Sequence, residues 1–216
     1  MVAGIVLPSK PTTVLASANI VNGVYYSGNT ETKNVSLMIN VYWGTEFLDS
    51  MLKTLKDHNV KTTFFVGGSW VNDNPEVLKK VYAQGHEIAN HGFYHKDHEN
   101  LTAERNREEI SYNHQVVKAT IGVDMNLFAP PSGSYSKTTV KVANDLGYKT
   151  IMWTRDTIDW RDHDADLIYS RATSKMSGGD LILMHPTAQT AQALPKILDY
   201  IEQNGFLATT VSETLR

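Results

Sequence analysis

No cysteine occurs among the 216 residues. That excludes disulfides, thiolate metal sites and a cysteine nucleophile together, and it leaves the compartment open, because a chain without thiols tolerates either redox environment. No apolar run approaches the ~20 residues that a membrane-spanning helix needs, and Val2 to Leu7 is too short for the core of a signal peptide. A surplus of positive charge is missing as well. The 20 Lys and Arg stand against 23 Asp and Glu, a net charge of −3, so no basic field marks a nucleic-acid partner. No glycine-rich loop follows any strand-length apolar run, which removes dinucleotide-binding and P-loop architectures. What is present is an ordinary globular composition, 41% hydrophobic and 20% charged, long enough for one domain with a substantial core. A monomer is expected.

Residues 1–34 hold Pro8, Pro11 and many Ser, Thr and Asn, with Val24-Tyr25-Tyr26 as their strand-like run; they read as an irregular leader. The domain is expected over 35–216. There, apolar runs of strand length recur at Val35 to Val41, Thr62 to Val66, Glu87 to Ala89, Asn126 to Ala129, Thr150 to Trp153, Leu181 to Met184 and Phe206 to Val211. Between them lie helical stripes such as Phe47, Leu48, Met51, Leu52 and Leu55, or Ala193, Leu194, Ile197, Leu198 and Ile201. Thr102 is placed to cap a helix start, and Gly122, Gly147 and Gly205 stand just past helix ends. Alternating strands and helices imply a parallel sheet covered by helices, and about seven repeats fit a closed or partly open β/α barrel, which is favoured, or an open doubly wound sheet.

In either arrangement the strand exits converge, so residues there are the candidates for chemistry. Strand one offers Asn40, Tyr42 and Trp43. Strand three offers His91 and His95, which on one helical turn share a face and suit a divalent ion such as zinc; a solvated surface pair is the bland alternative. Strand four offers Pro130, Pro131 and Tyr135, strand five Asp156, Asp159 and Trp160, and strand six His185. The aromatics could stack on sugar rings or simply pack, and the two aspartates could be turn or cap carboxylates. His185 ends the apolar run Leu181 to Met184, where an imidazole needs a polar partner.

Val60 to Gly68, Gly85 to His95, Asp156-Thr157-Ile158-Asp159-Trp160 and Gly179 to His185 fall in the order of the landmarks of the polysaccharide deacetylase family, carbohydrate esterase family four, which the chain resembles from Val35 to Leu215. The resemblance implies a distorted β/α barrel and metal-dependent removal of acetyl groups from N-acetylglucosamine polymers such as peptidoglycan or chitin, outside the membrane or in the cell wall. It implies that His91 and His95 hold the metal, zinc by donor type. Asp159 with Trp160 and Leu183 with His185 match the family's later motifs; His185 would be the acid toward the departing amine, Asp159 a further catalytic residue, and Trp43, Pro131, Tyr135, Trp160 and Leu183 would bind substrate. A metal of this kind lowers the pKa of water to ~7, and a base completes its deprotonation.

The base is where the sequence departs. The family's first motif carries two adjacent aspartates, a base and a third metal ligand, whereas this chain reads Met38-Ile39-Asn40-Val41-Tyr42-Trp43-Gly44. Aligned on the strand, Asn40 stands at the base and Val41 at the metal position; aligned on Gly44, Tyr42 and Trp43 do. The strand alignment is preferred because it introduces no shift. An amide cannot take a proton at neutral pH. Ala129 also replaces the arginine that orients the base, so two connected parts are lost together. Deacetylation is expected to be weak or lost. The alternatives are a glycan-binding pseudoenzyme, or a hydrolase that recruits Asp156, Asp159 or Glu46 as base.

Overall fold

The computed structural model describes residues 18–216; the first half of the expected leader, residues 1–17, lies outside them. One sheet organises the rest. Its strands are β1 (Ile20–Val21), β2 (Val24–Tyr25), β3 (Asn34–Val41), β4 (Thr63–Val66), β5 (Glu87–Asn90), β6 (Leu127–Phe128), β7 (Lys149–Ile151), β8 (Arg155–Asp156), β9 (Leu181–Met184) and β10 (Leu207–Ala208). They are ordered β1-β2-β7-β6-β5-β4-β3-β9-β8, with β10 alongside the start of β3. Apart from the β1–β2 hairpin every pairing is parallel. This is the distorted barrel that the family resemblance implies, curled rather than evenly closed.

The distortion has a local cause in residues 149–156. The run expected as one strand from Thr150 to Trp153 ends at Ile151 and resumes as β8, so its first half pairs β6 and β2 and its second half pairs β9. One bent segment thus joins the two sides of the sheet. The last expected strand, Phe206 to Val211, is also shorter. Thr210 and Glu213 form a capping box, which starts a helical turn at Val211 because reciprocal capping satisfies the first free amides.

Among the described residues, seven α-helices of six residues or more cover the outside: α1 (Thr45–Asp57), α2 (Gly68–Asp73), α3 (Pro75–Ala83), α4 (Ala103–Ile121), α5 (Lys137–Asp145), α6 (Ala165–Thr173) and α7 (Ala188–Gln203). Their ends follow the sequence signals. The Thr102 hydroxyl accepts from the Arg105 amide, and Gly122 closes α4 in the left-handed conformation. Strand parity then divides the core in two. On β3, Val35, Leu37, Ile39 and Val41 face the helices, while Met38 joins Phe65, Ala89, Leu127, Ala129 and Leu181 inside the barrel. Successive side chains alternate faces, so Asn40 is directed inward, toward the ends of the strands.

Candidate active site

A cavity of about 440 Å³ opens where the strands end, within the size range of small-ligand pockets. Its wall takes Asn40, Tyr42 and Trp43 from the exit of β3, His91 and His95 from β5, and Leu183 and His185 from β9. Ser132, Gly133, Trp153, Asp156 and Trp160 complete it. Asn40 is 4% exposed and its Oδ1 has no hydrogen-bond partner. An orphaned buried acceptor is costly and calls for a functional account.

His91 and His95 do meet, at 5.1 Å between ring centroids, although not on a helical turn as the spacing suggested. Residues 91–97 form a loop, and His95 is left-handed at φ 54°. The loop is held by groups that the sequence did not advertise. Glu109 of α4, 2% exposed, accepts from the Phe93 and Tyr94 amides at 2.9 and 2.7 Å, and Asn90 Oδ1 accepts from the Gly92 amide at 2.9 Å. These side chains replace the backbone acceptors that a helix would supply, so the i, i+4 pair converges by another route. Nothing in a single sequence singles out a carboxylate fourteen residues downstream of His95 for this task.

The Ala129 carbonyl lies 2.8 Å from His91 Nδ1. A carbonyl only accepts, so Nδ1 carries the proton and Nε2 keeps its lone pair. Burial holds the His91 pKa well below its usual value, with the neighbouring His95 and His185 rings adding to the effect against the opposing Ala129 carbonyl. Burial likewise lowers His95. Both are therefore neutral imidazoles at neutral pH, the form in which histidine binds metal. The third ligand is missing. Val41 is fully buried in the helix-facing core, and no group of three or more His, Cys, Asp or Glu able to hold a metal ion exists among the described residues. The residues present do not fit a tightly resident ion.

His185 is built differently. Its Nδ1 lies 2.8 Å from Asp159 Oδ1, its backbone N–H donates to Asp159 Oδ2 at 2.6 Å, and the Thr190 hydroxyl donates to the same oxygen at 2.6 Å. Asp159 is wholly buried and lies behind His185 rather than in the cavity wall. The carboxylate fixes the tautomer and leaves Nε2 as the proton-exchanging end. Trp43 stacks on the His185 ring, 5.7 Å between centroids and 8° from parallel. It is set there by Gly44, whose φ of 76° brings it against the Pro186 carbonyl with no room for a Cβ. Gly133 plays a similar part, since a Cβ there would lie 2.8 Å from the Trp153 indole.

Two expected substrate residues are placed elsewhere. Tyr135 is outside the cavity, hydrogen-bonded through its hydroxyl to Tyr26 and lining a shallow surface groove with Lys137 and Asn22, because the turn at Pro131–Gly133 carries the chain away from the strand ends. Pro131 is buried beside Gly92 rather than in the wall. Of the alternative bases, Asp156 reaches the cavity and Glu46 does not. Asp156 Oδ1 also accepts from the Ile158 amide at 2.8 Å, so its turn role is real. That turn holds Ile158 at φ 53°, which is unfavourable for a β-branched residue and typical of constrained sites.

Replacing Glu109 by alanine is expected to destabilise the fold by about 2–4 kcal/mol, because two amides lose a charged acceptor. Glu109→Gln retains an acceptor oxygen and should lose about half as much. Urea unfolding of both variants checks this; equal stability of Glu109→Ala and wild type would show that the loop is held otherwise.

Comparison with known proteins agrees with this geometry. The polysaccharide deacetylase family profile matches residues 27–151. YlxY, an uncharacterized protein of Bacillus subtilis, is 41% identical over 190 residues, 88% of this chain; the chain spans 60% of the length of that relative. A peptidoglycan-N-acetylglucosamine deacetylase of Bacillus cereus is 31% identical over 176 residues, 79% of this chain and 82% of its own. The crystal structure of a CE4 family pseudoenzyme from Bacillus anthracis superposes with a TM-score of 0.88 at 35% identity, covering 92% of this chain and 70% of that one. A mutant of that pseudoenzyme with restored enzymatic activity gives the same TM-score at 33% identity, covering 92% and 73%.

Proposed function

Because this chain belongs to the polysaccharide deacetylase family, we propose that it is a cell-envelope protein whose cleft binds glycans containing N-acetylglucosamine, with N-deacetylation weak or lost. The observation that carries this reading is Asn40: it holds the inward, cavity-lining position at the end of β3 where the family has its base, and it cannot accept a proton. The rest of the machinery argues for descent from an enzyme. The Asp159–His185 pair keeps the geometry of an acid that protonates a departing amine at Nε2. A divalent ion, zinc by donor chemistry, would be held by His91 and His95 alone, and therefore weakly. When bound, such an ion supplies Lewis-acid polarisation.

Binding does not need the lost groups. Trp43 and Trp160 are 44% and 53% exposed at the cavity, and indole faces pair with the apolar faces of sugar rings. A location outside the membrane, in the wall, follows from such a substrate, and no helix among the described residues is long and apolar enough to cross a membrane. A second reading, a hydrolase with Asp156 as base, is favoured only by the presence of that carboxylate in the wall. N-acetylglucosamine oligomers at about millimolar concentration, where an interaction of ~4 kcal/mol registers, should quench tryptophan fluorescence without releasing acetate. Silence in the fluorescence experiment would leave the cleft without a glycan role, and rapid acetate release would favour the hydrolase.

A further inference from the structure

The charge balance of the cavity is one-sided. Among the described residues no lysine or arginine lines it, and the one carboxylate that does is Asp156. Arg161, next to Trp160 in sequence, is forked onto Asp162 at 2.7 and 2.8 Å and so is occupied. Three indoles, Trp43, Trp153 and Trp160, and the Tyr42 phenol share the wall with that carboxylate. His91 and His95 have no third protein ligand among the described residues and are no tight resident site for a metal cation. The wall thus presents groups that attract a positive ligand, four aromatic rings and one carboxylate.

Aromatic faces carry negative potential, and several of them beside a carboxylate is the arrangement that recognises organic ammonium groups. We infer that the cleft is selective for glycans carrying free amino groups, so that it reads glucosamine units from which the acetyl group has already been removed, with Tyr42, Trp43, Trp153 and Trp160 around the ammonium and Asp156 opposite it. This deepens the glycan reading proposed above and rests on it. The chemistry also gives the protein a place in a sequence of reactions: an amidase acting on N-acetylated glycan must come first and supply the ligand.

Glucosamine oligomers and N-acetylglucosamine oligomers of equal length are compared by titration calorimetry on the full chain at mildly acidic pH, where the sugar amine is charged. Glucosamine oligomers should bind about tenfold tighter or more, a difference of ~1.4 kcal/mol, and added salt should weaken them alone. Asp156→Asn should abolish the preference, bringing the glucosamine oligomer down to the affinity of the acetylated one, while its amide oxygen can still accept from the Ile158 amide; Trp160→Ala should weaken both. Oligolysine of similar length, a cation without sugar rings, should not bind. Equal or better binding of the acetylated oligomer, or equal binding of oligolysine, would overturn the selectivity while leaving glycan binding to be judged separately. Absence of binding to either sugar would overturn both readings. The comparison on the wild-type protein decides even if Asp156→Asn does not fold.

Discussion

Asn40→Asp is expected to raise acetate release from N-acetylglucosamine oligomers by about 10²-fold or more over wild type, the usual lower bound for supplying a general base. The substitution is nearly isosteric, and the structure shows where the new carboxylate stands: inward, at the cavity wall, on a strand flanked by β4 and β9 and paired at Asn40 with Phe65 of β4. The Asn40 Oδ1 atom has no partner to lose. Burial without a cation raises a carboxyl pKa, so the gain should be incomplete. His185 is required as acid, and Asn40→Asp with His185→Ala should fall back to the wild-type level. Zinc belongs in the assay buffer, because His91 and His95 lack a third protein ligand. Adding Ala129→Arg would give the carboxylate a partner, but Ala129 is fully buried against Met38 and Phe65. Overpacking there costs about 1–3 kcal/mol, so thermal unfolding must accompany the double variant. A folded, zinc-supplied Asn40→Asp protein no more active than wild type would show that the base position lies elsewhere.

Stability should fall as pH drops below 6.5, before the carboxylates are neutralised. Burial lowers His86 from 6.5 to about 4, with Lys61 contributing, and burial also lowers His91, His95 and His98. These imidazoles are neutral in the folded chain and take up protons once it unfolds. Their contribution is complete above pH 6.5, the unfolded value, and is lost as pH falls from there toward each folded value. For His86 alone, a displacement of about 2.5 units corresponds to ~3 kcal/mol, a large part of a typical stability of about 5–15 kcal/mol. His58 titrates in the opposite sense, raised mainly by the Thr54 carbonyl and then by Asp199, and offsets a little of the loss. Urea unfolding free energies measured across this range should drop by several kcal/mol. His86→Gln, which keeps an acceptor for the Thr62 amide, should flatten the slope by about one proton, ~1.4 kcal/mol per pH unit. A stability constant from pH 6.5 down to about 4.5 would mean that these rings are solvated or paired in the folded chain.

The local signals in the sequence determined the architecture and most of the inventory. Strand-length apolar runs alternating with 3.6-period stripes imply a parallel sheet under helices, and that pattern is local, so the strands at Val35 to Val41 and Leu181 to Met184 could be read directly. His91, His95, His185, Trp43, Trp160 and the replacement at Asn40 were legible because each sits at a strand exit in an ordered motif. Strand parity, also a local property, is what sends Asn40 inward and Val41 out to the helices. The tertiary structure decided everything that depends on long-range partners. It broke the run at Thr150 to Trp153 so that one segment could pair β6 on one side and β9 on the other. It took His91 and His95 off a helix and held them through Glu109, brought Trp153 and Ser132 into the wall, and sent Tyr135 out of it. Those outcomes rest on hydrogen bonds and packing between residues far apart in the chain, whose free energies appear only once the barrel has closed and therefore leave no periodicity in the sequence to read.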